Sequence, residues 1–172
     1  MRTIVIVSLM VIAAGGCRRD GKAPKPGDVV NRPQNPPVAY IADDDPRLRE
    51  ASRQAQKSLA SFVQQLEGPH DQHINFAVKT ALHEEGARSE GVWLTWLRFD
   101  GKSFHGTVSN EPVHLKKIFL GSKVSVESAK VVDWLIVDNG KLQGGFTVRV
   151  LRDALQGDAR KQFERSLPFA VD

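Results

Sequence analysis

From Ile74 to Val150 the apolar residues fall mainly at every second position, in short runs separated by Gly- and Asn-containing turns. That period belongs to strands, and a helix cannot satisfy it. Ile74, Phe76, Val78 and Thr80 alternate with Asn75, Ala77 and Lys79, which predicts a half-buried strand with Lys79 on its outer side. Val92–Phe99 is apolar on both faces, with Trp93 and Trp96 on opposite sides, so it is expected in the middle of a sheet. Asp100-Gly101 turns it into Ser103–Ser109. Lys123–Ser128 and Lys130–Val137 read as two further strands, and Asp138-Asn139-Gly140 turns the second into a strand over Leu142–Val150.

About six antiparallel strands need a cover, and the residues before them supply one. Asp43-Asp44-Asp45-Pro46 has the chemistry of a helix start: an Asp side chain accepts from a free amide, and Pro at the first helical position lacks only a hydrogen that would be idle there. Leu48, Ala51, Ala55, Leu59, Phe62, Val63 and Leu66 then form one stripe, and Gly68-Pro69 ends the helix. A weaker helical pattern closes the chain (Leu151, Ala154, Leu155, Ala159, Phe163), with Gly157 in its middle. The expected fold class is α+β over residues 43–172: one curled antiparallel sheet packed by an N-terminal amphipathic helix, with a shorter C-terminal helix. A length of 172 residues suits one core with appendages.

The appendages lie in front. Arg2 precedes the apolar run Ile4–Ala14, and Gly15-Gly16-Cys17 follows. The run falls short of the ~20 residues needed to span a bilayer, so residues 1–16 read as a signal peptide. The chain's single cysteine, Cys17, stands where a bacterial lipobox places its lipid-modified residue, although Ala14 occupies the usual Leu position. Residues 17–42 carry prolines 24, 26, 33, 36 and 37 with few large apolar side chains, and Arg18–Pro37 is expected to be an extended spacer. The reading is a lipid-anchored protein of the cell envelope, on the outer membrane facing the periplasm in a Gram-negative host. Its partners would be the membrane, through lipidated Cys17, and an envelope protein. The formal charge of +4 forms no basic stripe with interleaved aromatics, so no nucleic acid is expected.

Several short motifs fall in an order that resembles the YegJ-like family, a bacterial domain of unknown function. They are Asp44-Asp45-Pro46, Glu90 with Trp93, Asn110-Glu111-Pro112, Gly121, Asp133-Trp134 and Gly144-Gly145-Phe146-Thr147. The family usually has His after the Glu, where this chain has Gly91, and often Asp where it has Ser122. The resemblance implies the fold and brings no reaction, cofactor or ligand with it. Loss of the His favours a structural or binding role over catalysis.

The candidate binding residues are Glu90, Asn110, Asp133, Gly144, Gly145 and Thr147. Asp133 and Trp134 must point to opposite faces of their strand. Asp133 either caps backbone amides or pairs with Arg149 or Lys130, or it lines a site. Gly144-Gly145 marks a bend or the close approach of another backbone, and a phosphate loop is not expected, because no helix start is foreseen after it. Asn110 is either a turn residue or a ligand-binding amide at a loop rim. His70, His73, His83, Glu84, Glu85 and Glu90 lack the spacing of a metal site and read as solvated loop, and His105 and His114 as exposed. The three tryptophans read as core. No cofactor or catalytic set is expected. A binding module is the preferred function, with an immunity-type protein against a toxin, or an envelope hydrolase using Asp133 with Glu90 or His105, as alternatives.

Overall fold

The computed structural model describes residues 29–32, 35–39, 45–71, 73–85, 89–112 and 114–171, with side chains from Asp45 onward. Residues 1–16, read above as a signal peptide, Cys17 and the first part of the expected spacer lie outside the described residues. Within the spacer, β1 (Val29–Arg32) and β2 (Asn35–Ala39) pair antiparallel. The spacer therefore doubles back here instead of running extended. Polyproline and β backbones occupy neighbouring regions of φ/ψ space, so a Pro-rich segment needs little adjustment to pair.

Helix α1 (Pro46–Glu67) starts as its residues predict: the Asp45 carboxylate accepts from the Arg47 amide at 2.8 Å, and Pro46 is the first helical residue. Gly68 ends it, donating its amide to the Gln64 carbonyl. The sheet that follows is open and antiparallel. Its strands are β3 (Asn75–Leu82), β4 (Glu90–Phe99), β5 (Ser103–Val108), β6 (Lys123–Glu127), β7 (Val131–Asp138) and β8 (Lys141–Gly144), in the order β6-β5-β4-β3-β7-β8. A single turn of 3-10 helix, Ser128–Lys130, joins β6 to β7.

The chain then departs from the expected strand over Leu142–Val150. β8 stops at Gly144, and Phe146–Ala154 is a helix, α2, followed after a break by α3 (Gly157–Ser166). Gly157 does not interrupt one helix; with φ +55° it begins the second.

Two apolar layers flank the sheet. On one face Ala55, Leu59 and Phe62 of α1 meet Phe76, Val78, Leu94, Phe104, Val126, Trp134 and Ile136. The Trp134 indole nitrogen donates to the Ala55 carbonyl at 3.1 Å and so ties α1 to β7. On the other face Val148 and Leu151 of α2, Leu155 just after it and Phe163 of α3 cover Ala77, Trp93, Leu135 and Leu142. This second layer covers only part of its face. Over β5 and β6 the residues on that side are polar and open: His105, Thr107, Lys123, Ser125 and Glu127.

Candidate functional site

The central strand β3 is covered on both sides, so the alternation that placed Lys79 outside misleads. Lys79 is only 4% exposed and lies between two cross-strand neighbours, Trp93 on β4 and Asp133 on β7. Its ammonium stands 5.7 Å from the Trp93 ring and donates to the Thr147 hydroxyl at 3.3 Å. Gly91 clears the space: a Cβ there would come within 2.9 Å of the Lys79 Cε.

Asp133 is fully buried and is the N-terminal cap of α2, delivered from a neighbouring strand. Its carboxylate accepts from the amides of Trp134 (2.8 Å), Phe146 (3.1 Å) and Thr147 (2.8 Å) and from the Thr147 hydroxyl (2.6 Å). Burial pushes this carboxyl above its usual range, opposed by the Thr147 hydroxyl, the Lys79 charge and the donating amides. Burial likewise pushes Lys79 down, opposed by the charge of Asp133. Of the two readings of Asp133, the structure carries the capping one, with Lys79 as the charge beside it. Lys130 instead meets Glu127, and Arg149 donates to the carbonyls of Gly144 and Leu142.

Gly144 and Gly145 have φ of +67° and +63°. A Cβ on Gly144 would lie 2.3 Å from the Trp134 carbonyl oxygen, while the Gly145 amide donates to that oxygen at 2.7 Å. The pair therefore both bends the chain and admits another backbone. A helix does start here, contrary to expectation, but the Asp133 carboxylate already occupies the amides an anion would use.

Asn110 and Glu90 are buried too, and both hold main chain. The Asn110 side-chain oxygen accepts from the Trp93 amide at 2.6 Å, prolonging the β4 pairing after β5 has ended. Glu90, expected in solvated loop, is 2% exposed at the start of β4 and accepts from the His114 amide at 2.8 Å. Glu84, also assigned to solvent, accepts from the amides of Lys116, Lys117 and Ile118 at 2.9, 2.8 and 3.1 Å. These amide bonds, led by that of Lys116, hold the Glu84 carboxyl below its usual range. Two acidic side chains thus dock the long β5–β6 connection. Glu90 shares the face of Val92 and Leu94, whereas Asp133 shares that of Lys79 and Trp93; the proposed acid–base pair points to opposite sides of the sheet.

On the open face, His105 links the carboxylate of Asp100 (2.6 Å) to the hydroxyl of Ser125 (2.8 Å). The order carboxylate–imidazole–hydroxyl resembles a nucleophilic relay, but the hydroxyl stands on a flat strand surface, and relay chemistry calls for amide donors aimed at a bound acyl oxygen. Asp100 also accepts from the Lys102 and Ser103 amides, which makes the trio a lock on the β4–β5 turn. Its carboxyl is held far below its usual range, first by the His105 bond.

The residue that sequence reasoning misplaced most is Trp96. It is 86% exposed and has φ +53°. The β4–β5 register shifts between Thr95 and Arg98, so Trp96 sits in a bulge. Leu94, Leu97 and Phe99 pack toward the core, and the Trp96 indole is left in solvent. A bulky residue with positive φ is a genuine outlier, and such strain persists where the surroundings impose it. Alternation of apolar residues gave no sign of it. Among the described residues, no group of three or more His, Cys, Asp or Glu is placed to hold a metal ion, and no helix is long and apolar enough to cross a membrane.

The family of uncharacterized proteins conserved in bacteria, DUF2314, matches residues 45–170, from the α1 cap to the end of the fold. The chain belongs to this family. Among DUF2314-like relatives, the uncharacterized protein YegJ of Escherichia coli K12 is 26% identical over 61% of this chain and 67% of its own length, which bears out the YegJ-like resemblance. A protein of Neisseria meningitidis serogroup B, provisionally named as an ankyrin repeat protein, is 28% identical over 74% of this chain. The match spans about half, 53%, of that protein's length. No solved structure matches the chain.

Proposed function

We propose that this DUF2314 domain is a binding module of the bacterial cell envelope, tethered through lipidated Cys17, whose contact surface centres on Trp96. Trp96 carries this reading. A large aromatic at positive φ on a bulge, 86% exposed, costs stability and leaves apolar surface in water. Exposed tryptophans of this kind anchor protein contacts. The open face of the same sheet offers Arg98, His105, Thr107 and Lys123 beside Glu127 and Asp100, a mixed-charge surface suited to a protein rather than to nucleic acid. The buried polar residues favour binding over catalysis, since Asp133, Asn110 and Glu90 each hold backbone amides and the Thr147 hydroxyl donates to Asp133.

The test is affinity capture from gently solubilised envelope, comparing the full chain with Trp96→Asn, because Asn accepts positive φ. The expected result is a stoichiometric protein captured by the wild type and lost in the variant, with stability unchanged or slightly raised. Equal capture by both, or capture by neither, overturns the reading. The anchor is tested separately: Cys17→Ser should move the protein from the membrane fraction to the soluble one.

A further inference from the structure

We propose that the outer edge of β6 is a self-association surface, on which two copies of this chain pair antiparallel about Ser125 and join their sheets. β6 is an end strand, and among the described residues no strand pairs with its outer side. The direction of its free backbone groups follows from the hydrogen bonds around it. Val108 donates to the Ser122 carbonyl, and Ser128 donates to the Lys102 carbonyl. These bonds place the even-numbered residues of β6 in hydrogen-bonded pairs with β5. By the alternation of an antiparallel ladder, the amides and carbonyls of Lys123, Ser125 and Glu127 point away from β5, toward the free edge.

The residues at that edge are self-complementary. Read antiparallel against itself about Ser125, Lys123-Val124-Ser125-Val126-Glu127 puts each Lys123 opposite Glu127 of the second copy, each Val124 opposite Val126, and Ser125 opposite Ser125. The outward-pointing residues are the ones that form hydrogen-bonded pairs in this register, giving about six main-chain bonds across the two-fold axis. The valines extend the buried layer, where Val126 already lies, and the Lys–Glu pairs extend the open polar face. Charges on an edge strand commonly discourage pairing. Here their order permits one register, and a shift by one residue would set polar side chains against the valine face. Phe119 and Leu120, 61% and 53% exposed just before β6, would come beside Ser128–Lys130 of the second copy and lose water-exposed surface.

A strand of five residues buries less than a standard interface of ~1,200 Å², so the dimer is weak, with Kd on the order of 10–100 μM. Anchoring to a shared surface would raise the effective concentration. The assembly goes beyond the Trp96 reading and does not depend on it. It would set two Trp96-bearing strands in one continuous sheet, five strand spacings or roughly 24 Å apart.

Ser125→Cys tests the register, because its Cα lies next to the symmetry axis at a separation a disulfide can bridge. The purified full chain, in mild detergent and with Cys17→Ser, is oxidised with copper–phenanthroline at about 200 μM, above the expected Kd. The expected result is a disulfide-linked dimer that an exposed control, Lys57→Cys, does not give. Adding Lys123→Glu sets Glu against Glu127 twice and should lower the dimer yield and the affinity by sedimentation about tenfold. Adding Glu127→Lys to that variant restores opposite charges and should restore both. Trp96→Asn should leave dimerisation intact, which separates this result from the binding test. Ser125→Cys cross-linking no better than Lys57→Cys, or a charge swap that fails to rescue a folded Lys123→Glu protein, overturns the proposal.

Discussion

Replacing Asp133 by Asn should be among the most damaging single changes in the domain, while removing its charge partner should cost little. The carboxylate holds three amides and one hydroxyl and sits at the start of α2. Asn keeps one oxygen and turns an NH2 toward donors. Loss of the cap costs ~0.5–2 kcal/mol, and a buried amide left without an acceptor ~1–3 kcal/mol. Lys79 is also left as a buried ammonium without its opposite charge, and breaking such a pair from one side costs ~3–5 kcal/mol in total. At ~2–4 °C per kcal/mol for a chain of this size, the melting temperature should fall by about 6–20 °C.

Lys79→Met behaves differently. Asp133 retains its four donors, the methylene volume against Trp93 is preserved, and the cost of burying an ammonium disappears. The net change should lie within ~1 kcal/mol of the wild type. In the Lys79→Met background Asp133→Asn should cost only the cap and amide contribution, ~1–3 kcal/mol, so a double-mutant cycle by urea denaturation should return at least ~1 kcal/mol of coupling. Equal costs of Asp133→Asn in the two backgrounds would refute the coupling. A cost below ~1 kcal/mol in the wild type would refute the cap itself and return Asp133 to the ligand reading.

Three further outcomes follow from local geometry. Gly144→Ala forces a Cβ to 2.3 Å from the Trp134 carbonyl oxygen and should destabilise by about 3 kcal/mol or more by denaturant titration, whereas Gly101→Ala, at φ +91° with open space around it, should cost only ~1–2 kcal/mol. The folded pKa of Glu84 lies below its ordinary ~4.3, so the contribution of this group is fully present above that value and is lost as pH falls through the folded one. Hydrogen exchange of the Lys116–Ile118 amides should therefore lose protection on acidification below pH ~4, and Glu84→Gln should remove that dependence. Trp96→Gly should keep or raise the melting temperature by releasing a positive φ from a bulky residue, and a clear fall would show that the indole packs in the fold.

What the residues disclosed and what they concealed have a common physical origin. Local signals sufficed where one element decides the outcome: the Asp45-Pro46 start of α1, its apolar stripe, and the strands of an antiparallel sheet were all readable. They failed where a second layer arrives from elsewhere. Phe146, Val148 and Val150 alternate as a strand would, and their β-branched neighbours agree, yet Thr147, Val148 and Leu151 also share one face of a helix, and all three are buried. Two glycines at positive φ and a carboxylate from β7 decide for the helix. That helix covers the side of β3 that alternation assigned to solvent, and so buries Lys79 beside Asp133. A single misread segment thus accounts for two errors, the missing helix and the unforeseen lysine. Of the candidate residues, Asp133, Thr147, Asn110 and Glu90 are all buried. Their burial assigns them to the scaffold. The large aromatic left in solvent is instead Trp96, where a bulge breaks the periodicity by which strands are read.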